Sequence, residues 1–410
     1  MGKTKLVVVG GLVMVLVAAL LVGSACAAPA PVGAKVIKIG APGALSGMAA
    51  PWGLPEDRGL RMQVDEVNAA GGLTVGGETY TFVVISGDTK FSVEGAAAVS
   101  HKLVTVDKVK YAVGGIDKHE TLTLQSTFEP AGVIHFHDGW GSGIVHPEAP
   151  HSFRTPPAPQ TFTPAVLSYI LQAYPEATRW ALVGYDTPGI HECSANVTPY
   201  FGTIGLEIAA EEYYAFDTVE FYPLITKLMD AGVNALYVTG ATPPQAGLLL
   251  KQAREKGYTG LFFFPAPLSA KDIVGISGVE AAEGAISLMA ITSGDLATPE
   301  ARAFRQAYID SYGQWESNVV DISVGFQIIL EAMKEADSIE VEKVLPVLHA
   351  GGPFDTLLGP VLIGGEELFG TPNECFIPLA PHVIRNGESV PEALLTAEYQ
   401  IEMLLKYLPK

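Results

Sequence analysis

Three histidines, a lysine and a glycine-rich turn carry most of the chemistry this sequence offers. His135 and His137 stand two apart in Ile134-His135-Phe136-His137, so in an extended strand both rings share one face, and His119 follows a neighbouring apolar run at 111–113. A metal ion is the first chemistry such a trio suggests. Zinc sites need three or four convergent ligands, however, and regularly spaced strand histidines more often pack or touch a ligand, so no metal is expected. Lys118, in Gly114-Gly115-Ile116-Asp117-Lys118-His119-Glu120-Thr121, brings a compact positive charge to a strand end. There it would favour a carboxylate or another anion, unless Asp117 or Glu120 already pairs with it. His137 could donate to a ligand oxygen with Asp138 orienting its ring, or be a satisfied structural histidine.

Catalysis finds no framework. The chain has no GxSxG, no HExxH and no GxxxxGK followed by Ser or Thr, and Gly139-Trp140-Gly141-Ser142-Gly143 runs into Ile144 where a dinucleotide fingerprint needs glycine. Glu211 and Glu212 are adjacent on an expected strand, whose alternation turns them to opposite faces. Cys26, Cys193 and Cys375 are the only cysteines and no CxxC spacing occurs, which excludes a thiolate metal site and leaves a Cys193–Cys375 disulfide permitted but not required. Neither an enzyme nor a cofactor is expected.

The 410 residues hold 25 basic and 44 acidic side chains, a formal charge of −19, with 48% apolar residues. So acidic a chain repels phosphate backbones, and so apolar a one buries a large core; nucleic-acid binding and disorder are both excluded. The length favours two domains. Lys3 and Lys5 precede an apolar run over 6–22 and the small residues 23–28, the pattern of an export signal over 1–25. Gly23-Ser24-Ala25-Cys26 resembles a lipoprotein cleavage box with Gly23 in the usual aliphatic place, so Cys26 is the expected lipidation site and 26–34 an Ala/Pro tether. Ala25-Cys26-Ala27 would equally serve an ordinary signal peptidase, leaving no anchor. Either way the mature chain is expected outside the cytoplasm.

These groups need positioning, and the periodicity shows how. Short β-rich runs at 36–39, 81–85, 111–113 and 133–137 alternate with a helical pattern at 56–70, the signature of βαβ units and a parallel sheet. The Pro-rich stretch 153–159 interrupts the series where a hinge belongs. A second α/β series follows, with a helix at 164–173 and strands at 180–183, 206–210, 235–238, 261–264 and 285–289. Helices over 299–312 and 319–336 are expected to return to the first lobe, and 391–410 to form one capping helix.

Four strings resemble the extracytoplasmic leucine/isoleucine/valine-binding proteins that feed ABC importers: residues 39–47 leading to Trp52-Gly53, Asp65-Glu66-Val67-Asn68-Ala69-Ala70-Gly71-Gly72, Leu250-Lys251-Gln252-Ala253-Arg254-Glu255-Lys256-Gly257, and Phe354-Asp355-Thr356-Leu357-Leu358-Gly359-Pro360. The resemblance implies an α/β fold of the periplasmic-binding-protein-like I type, with two Rossmann-like lobes on parallel sheets and three hinge crossings near Thr155, Ala290 and Gly359. Residues 35–154 with 291–358 would form the first lobe, and 155–290 with 359–390 the second. It implies a small-molecule ligand in the cleft, a membrane permease as partner, and a monomer. Ser46 and Trp52 fall in the ligand loop, Trp52 as its aromatic wall, while His137 and Gly139 fall on contacting places of a later loop. Ile190 and Thr242 stand where the family has tyrosines, and Ala266 where it has the acid that pairs with the ligand ammonium. Without that acid a desolvated ammonium lacks its partner. The expected ligand is therefore a small carboxylate, aromatic or not, or a neutral amide, held by Lys118, His137 and loop amides against Trp52. A branched-chain amino-acid binder with an unusual pocket and a sensor for a separate signalling protein are the alternatives.

Overall fold

The computed structural model describes residues 33–47, 49–268, 270–316 and 318–409. The expected export signal and Cys26 lie outside them. Strands form where β-branched and aromatic residues cluster, and two sheets result. The first contains β1 (Lys35–Gly43), β2 (Leu73–Val75), β3 (Glu78–Asp88), β4 (Tyr111–Val113), β5 (Ile134–His137) and β6 (Ser152–Arg154). The second contains β7 (Arg179–Tyr185), β8 (Glu207–Tyr214), β9 (Ala235–Val238), β10 (Leu261–Phe264) and β11 (Ile286–Ala290). The chain then returns to the first sheet as β12 (Phe354–Thr356), β13 (Gly359–Gly364) and β14 (Glu374–Phe376), and to the second as β15 (Leu379–Arg385) and β16 (Glu388–Pro391). The orders are β12-β13-β14-β6-β5-β4-β1-β3-β2 and β16-β15-β11-β10-β9-β7-β8. In each sheet the central strands run parallel, and β4 and β9 are buried at every residue, as strands covered on both faces must be.

Two glycines set how closely helices approach the first sheet. Helix Val319–Glu335, apolar around most of its circumference, lies against helix Ala50–Ala69 at Gly59, where an added Cβ would come within 2.4 Å of the Val319 carbonyl oxygen. Gly325 meets Phe136 of β5 in the same way, its added Cβ 2.7 Å from the Phe136 Cβ. Helix Ala50–Ala69 begins six residues before the start expected at 56, because Pro51 occupies the first turn, where a missing N–H costs nothing. Trp52 is therefore helical. The C-terminal segment is not one helix over 391–410: β16 ends at Pro391, and helix Ala397–Tyr407 follows, capped by the Thr396 side chain accepting from Tyr399 N.

The chain crosses between sheets after Arg154 and after Ala290, as expected, but not near Gly359. Leu362 pairs with Phe376, and Glu374 lies opposite Arg154, so 359–376 belongs with the first sheet and the last crossing falls between Phe376 and Leu379. The hairpin β12–β13 buries Phe354, Val361 and Ile363, and strand alternation alone does not say which sheet edge receives such a face.

At this hinge Arg154 and Glu374 form a pair sealed from water. Arg154 Nε and Nη2 lie 2.8 and 2.7 Å from Glu374 Oε2, while Oε1 accepts from Ala158 N at 2.6 Å and from Thr161 Oγ1 at 3.3 Å. Ala158 caps helix Pro159–Ala173 of the second lobe, so one carboxylate ties the last strand of one lobe to the first helix of the other. Burial pushes the Glu374 carboxyl up, and the Arg154 charge opposes it. Cys193 and Cys375 are both buried and free, and burial pushes the Cys193 thiol up to about 12. Arg154→Met should destabilise the protein by about 3–5 kcal/mol, because it strands a buried charge, whereas Arg154→Met with Glu374→Gln should recover most of the loss. Urea unfolding of the three proteins decides this; a double variant as unstable as the single would refute it.

Candidate functional site

The carboxyl ends of β1, β3, β4 and β5 face those of β7, β9 and β10, and the loops that follow them define a cleft. It is spanned by Lys118, first residue of helix Lys118–Phe128, whose Nζ lies 3.3 Å from both oxygens of Glu192 on helix Pro188–Ile204. Lys118 thus pairs with neither Asp117 nor Glu120 but with an acid of the opposite lobe. Asp117 instead caps its own helix, accepting from Glu120 N at 2.6 Å.

The first lobe's rim is built around Asp88. Its carboxylate accepts from Leu45 N, Ser46 Oγ and Lys90 N, at 3.0, 2.6 and 3.0 Å, and so joins the loops after β1 and β3. Despite burial, these bonds hold its carboxyl below the usual range. Ser46 is exposed, with its hydroxyl committed to Asp88. The next turn holds Lys90 and Phe91 both in the left-handed region, at φ +55°, a conformation costing side-chain-bearing residues on the order of 1–3 kcal/mol. It sets the Phe91 ring 6.2 Å from that of Trp52, which is 55% exposed. The Trp52 carbonyl accepts from Asn318 Nδ2, fixing the first turn of its helix.

His137 is sealed. Its Nδ1 accepts from Gly139 N at 3.0 Å, which leaves the proton on Nε2, and burial, His135 and Arg154 keep its pKa well below the usual value. His135 Nε2 donates to the Gly114 carbonyl at 2.6 Å, and burial lowers its pKa to about 4. His119 is exposed on its helix. The three histidines therefore do not converge. Gly139 is required by space: an added Cβ would lie 2.8 Å from both His137 Nδ1 and Thr121 Oγ1.

In the second lobe, Ile190 is not a cleft-facing residue. It is buried beneath Gly184 and Gly240, where added Cβ atoms would come within 2.5 Å of its side chain. Tyr185, at the end of β7, is the half-buried aromatic of this region, its ring 5.1 Å from that of Phe216. Thr242 caps helix Pro243–Glu255 in a reciprocal box with Gln245, which occupies its hydroxyl. Ala266 is half-buried against the second core. A hollow of about 360 Å³, lined by residues such as Met229, Asn234 and Tyr258, lies at the opposite ends of β9 and β10, away from the cleft.

The sequence gives no sign of Glu56 or Asp321 as site residues, and expects Asp138 only to orient His137, whose Nδ1 bonds Gly139 N instead. Glu56, one turn beyond Trp52, Asp138, following β5, and Asp321, in the first turn of helix Val319–Glu335, share the first lobe's cleft edge. Burial pushes Glu56 well up, and repulsion from Asp138 and Asp321 adds to it. Burial likewise raises Asp138 well above the usual range, with Asp321 adding to it and Arg154 opposing; burial lifts Asp321 to about 7. Asp138 and Asp321 keep partial access to solvent. Lys118 and Arg154 are engaged, by Glu192 and Glu374 respectively. No single acid stands in a recognisable string, so only the fold brings them together.

Comparison with known proteins matches residues 36–378 to the family described as periplasmic binding protein. The leucine-, isoleucine-, valine-, threonine- and alanine-binding protein of Pseudomonas aeruginosa is 27% identical over 341 residues, covering 80% of this chain and 85% of that one. Among solved structures, a branched-chain amino acid transporter substrate binding protein from Streptococcus pneumoniae, in complex with isoleucine, aligns with a TM-score of 0.69 at 21% identity, covering 88% and 99%. An ABC transporter solute binding protein from R. palustris, in complex with benzoate, aligns at 0.66 and 18%, covering 88% and 97%. The chain belongs to the periplasmic binding protein family and is a solute-binding protein, not an enzyme.

The raised Asp321 pKa has a signed consequence. As pH rises from about 4, where a free aspartate ionises, to about 7, the unfolded chain loses this proton before the folded one does, so the folded state loses stability across that window. Asp321→Asn should flatten the decline, being more stabilising relative to wild type at pH 8 than at pH 5. Urea midpoints at both pH values test this, and an equal difference at both would contradict it.

Proposed function

We propose that this periplasmic binding protein captures a small organic solute between its lobes and delivers it to a separate membrane permease. The solute carries a hydrogen-bond donor, as an amide or an amine, on an apolar or aromatic body. One observation carries the choice of head group: Lys118 and Arg154 are each paired with a carboxylate, while Asp138 and Asp321, partly open to solvent, form no ion pair among the described residues and resist ionising. A protonated carboxyl accepts a hydrogen bond from an amide, and an ionised one pairs with an ammonium. An unaccompanied carboxylate would find neither Lys118 nor Arg154 free, and would be repelled by whichever of these acids is ionised. Between the two anticipated classes, carboxylate and amide, the electrostatics favour the amide, and they restore the amine-bearing amino acid as a second reading despite Ala266. The apolar body would lie against Trp52 and Phe91, which the Lys90–Phe91 turn holds together at the rim.

The relatives include both an amine-bearing and a carboxylate case, since one is named for leucine, isoleucine, valine, threonine and alanine and one solved neighbour holds benzoate. Lipid attachment at Cys26 would hold the monomer at the membrane beside its permease, with the 26–34 tether as spacer.

Thermal unfolding against leucine, benzamide and benzoate tests the head group. A ligand at about a hundred times its dissociation constant adds about 2.7 kcal/mol, a clear midpoint shift. Benzamide or leucine should raise the midpoint, benzoate should not, and Trp52→Ala should weaken the response at least about tenfold in affinity. Stabilisation by benzoate alone would sink the donor-bearing head group while leaving the solute-binding role intact.

A further inference from the structure

We infer that Glu192 is a positioning residue for closure: its carboxylate, held between Lys118 and the Ser142 amide of the opposite lobe, latches the cleft shut, and Lys118 serves that latch instead of a ligand. The inference rests on the reading of the two lobes as a closing cleft. Both Glu192 oxygens lie 3.3 Å from Lys118 Nζ, and Oε1 also accepts from Ser142 N at 3.1 Å. One turn further along the same helix, Asn196 Nδ2 donates to Ser142 Oγ at 3.3 Å. Lys118 follows β4 and Ser142 follows β5, so a single carboxylate gathers two loops of one lobe onto one helix of the other.

The arrangement is supported from below. The aliphatic stem of Lys118 lies over Gly141, whose left-handed backbone (φ +119°) leaves that space open; an added Cβ would come within 3.3 Å of Lys118 Cδ. The Gly141 carbonyl in turn accepts from Arg154 Nη1 at 2.9 Å, so the loop bearing Ser142 is anchored to the hinge. The Lys118 ammonium is thereby aimed across the cleft. Side-chain exposures of 35% and 31% put the pair at the rim, where water and salt reach it, and pairs of that kind shift an equilibrium by up to about fivefold. Separating the lobes breaks at once the contacts of Lys118 and Ser142 with Glu192 and Asn196. The closed fraction, and with it the apparent affinity for any solute, therefore depends on them.

Hydrogen–deuterium exchange of the full chain, with no ligand added, reads the latch directly through the amides of 139–143 and 186–192. At about 0.01 M salt, Lys118→Glu and Glu192→Lys should each speed exchange there by up to about fivefold, and at about 1 M salt the difference from wild type should shrink. The charge-reversed pair Lys118→Glu with Glu192→Lys should return lobe-facing exchange to within about twofold of wild type at low salt, although a lysine at 192 no longer accepts from Ser142 N. Single variants that exchange like wild type, or a reversed pair that exchanges as fast as the singles, would overturn the latch. So would a rise spread over the whole chain, which marks loss of fold. No solute enters the measurement, so a failed ligand panel and a failed latch are told apart.

Discussion

Everything in this molecule is arranged around one buried ion pair. Arg154 and Glu374 sit where the chain leaves the first sheet and where it later leaves it again, and neither side chain reaches water. A pair so placed gives little net stability over an apolar substitute, but it tolerates no partial solution: each group needs its partner and its remaining hydrogen bonds. Glu374 meets that demand with Ala158 N and Thr161, and Arg154 with Gly141. The same two side chains thus specify the hinge, the first turn of the second lobe's leading helix and the loop after β5.

From that anchor the cleft follows by close approach. Gly59 and Gly325 let helix Val319–Glu335 sit against both helix Ala50–Ala69 and β5, which brings Glu56, Asp138 and Asp321, far apart in sequence, to one edge. Their mutual repulsion is tolerated because protonation relieves it. The rim is treated differently. There Asp88 keeps its charge by collecting two backbone amides and a hydroxyl, and the strained Lys90–Phe91 turn spends conformational energy to hold an aromatic side chain beside Trp52.

The architecture was legible wherever burial leaves a local mark. The runs at 111–113, 235–238 and 261–264 are strands to the residue, and the helix at 299–312 has the bounds its periodicity gives. Legibility failed where the decision is non-local. Nothing in 359–376 tells which sheet it joins, because the deciding contact is with Arg154 more than two hundred residues earlier. Among the residues that the resemblance put at the ligand, Trp52 follows β1 and Gly139 follows β5, at the carboxyl ends of those strands. Ile190, expected at the cleft, is buried beneath Gly184 and Gly240, because a hydrophobic residue after a strand looks the same in sequence whether it faces a ligand or plugs two glycines. Lys118 was singled out for its charge, yet its partner Glu192 lies on another lobe. Phe91 owes its position to a backbone conformation that its residue type gives no reason to expect.

The separation of 220 positions between Arg154 and Glu374 also imposes an order in time. A chain that emerges N-terminus first exposes Arg154 long before its partner exists, and the first sheet lacks β12, β13 and β14 until almost the whole polypeptide is out. Helix Ala397–Tyr407, which packs with Tyr200 and Phe376 across the hinge, comes later still. Neither lobe can finish as an independent unit during synthesis, and long-range closure of this kind is intrinsically slow.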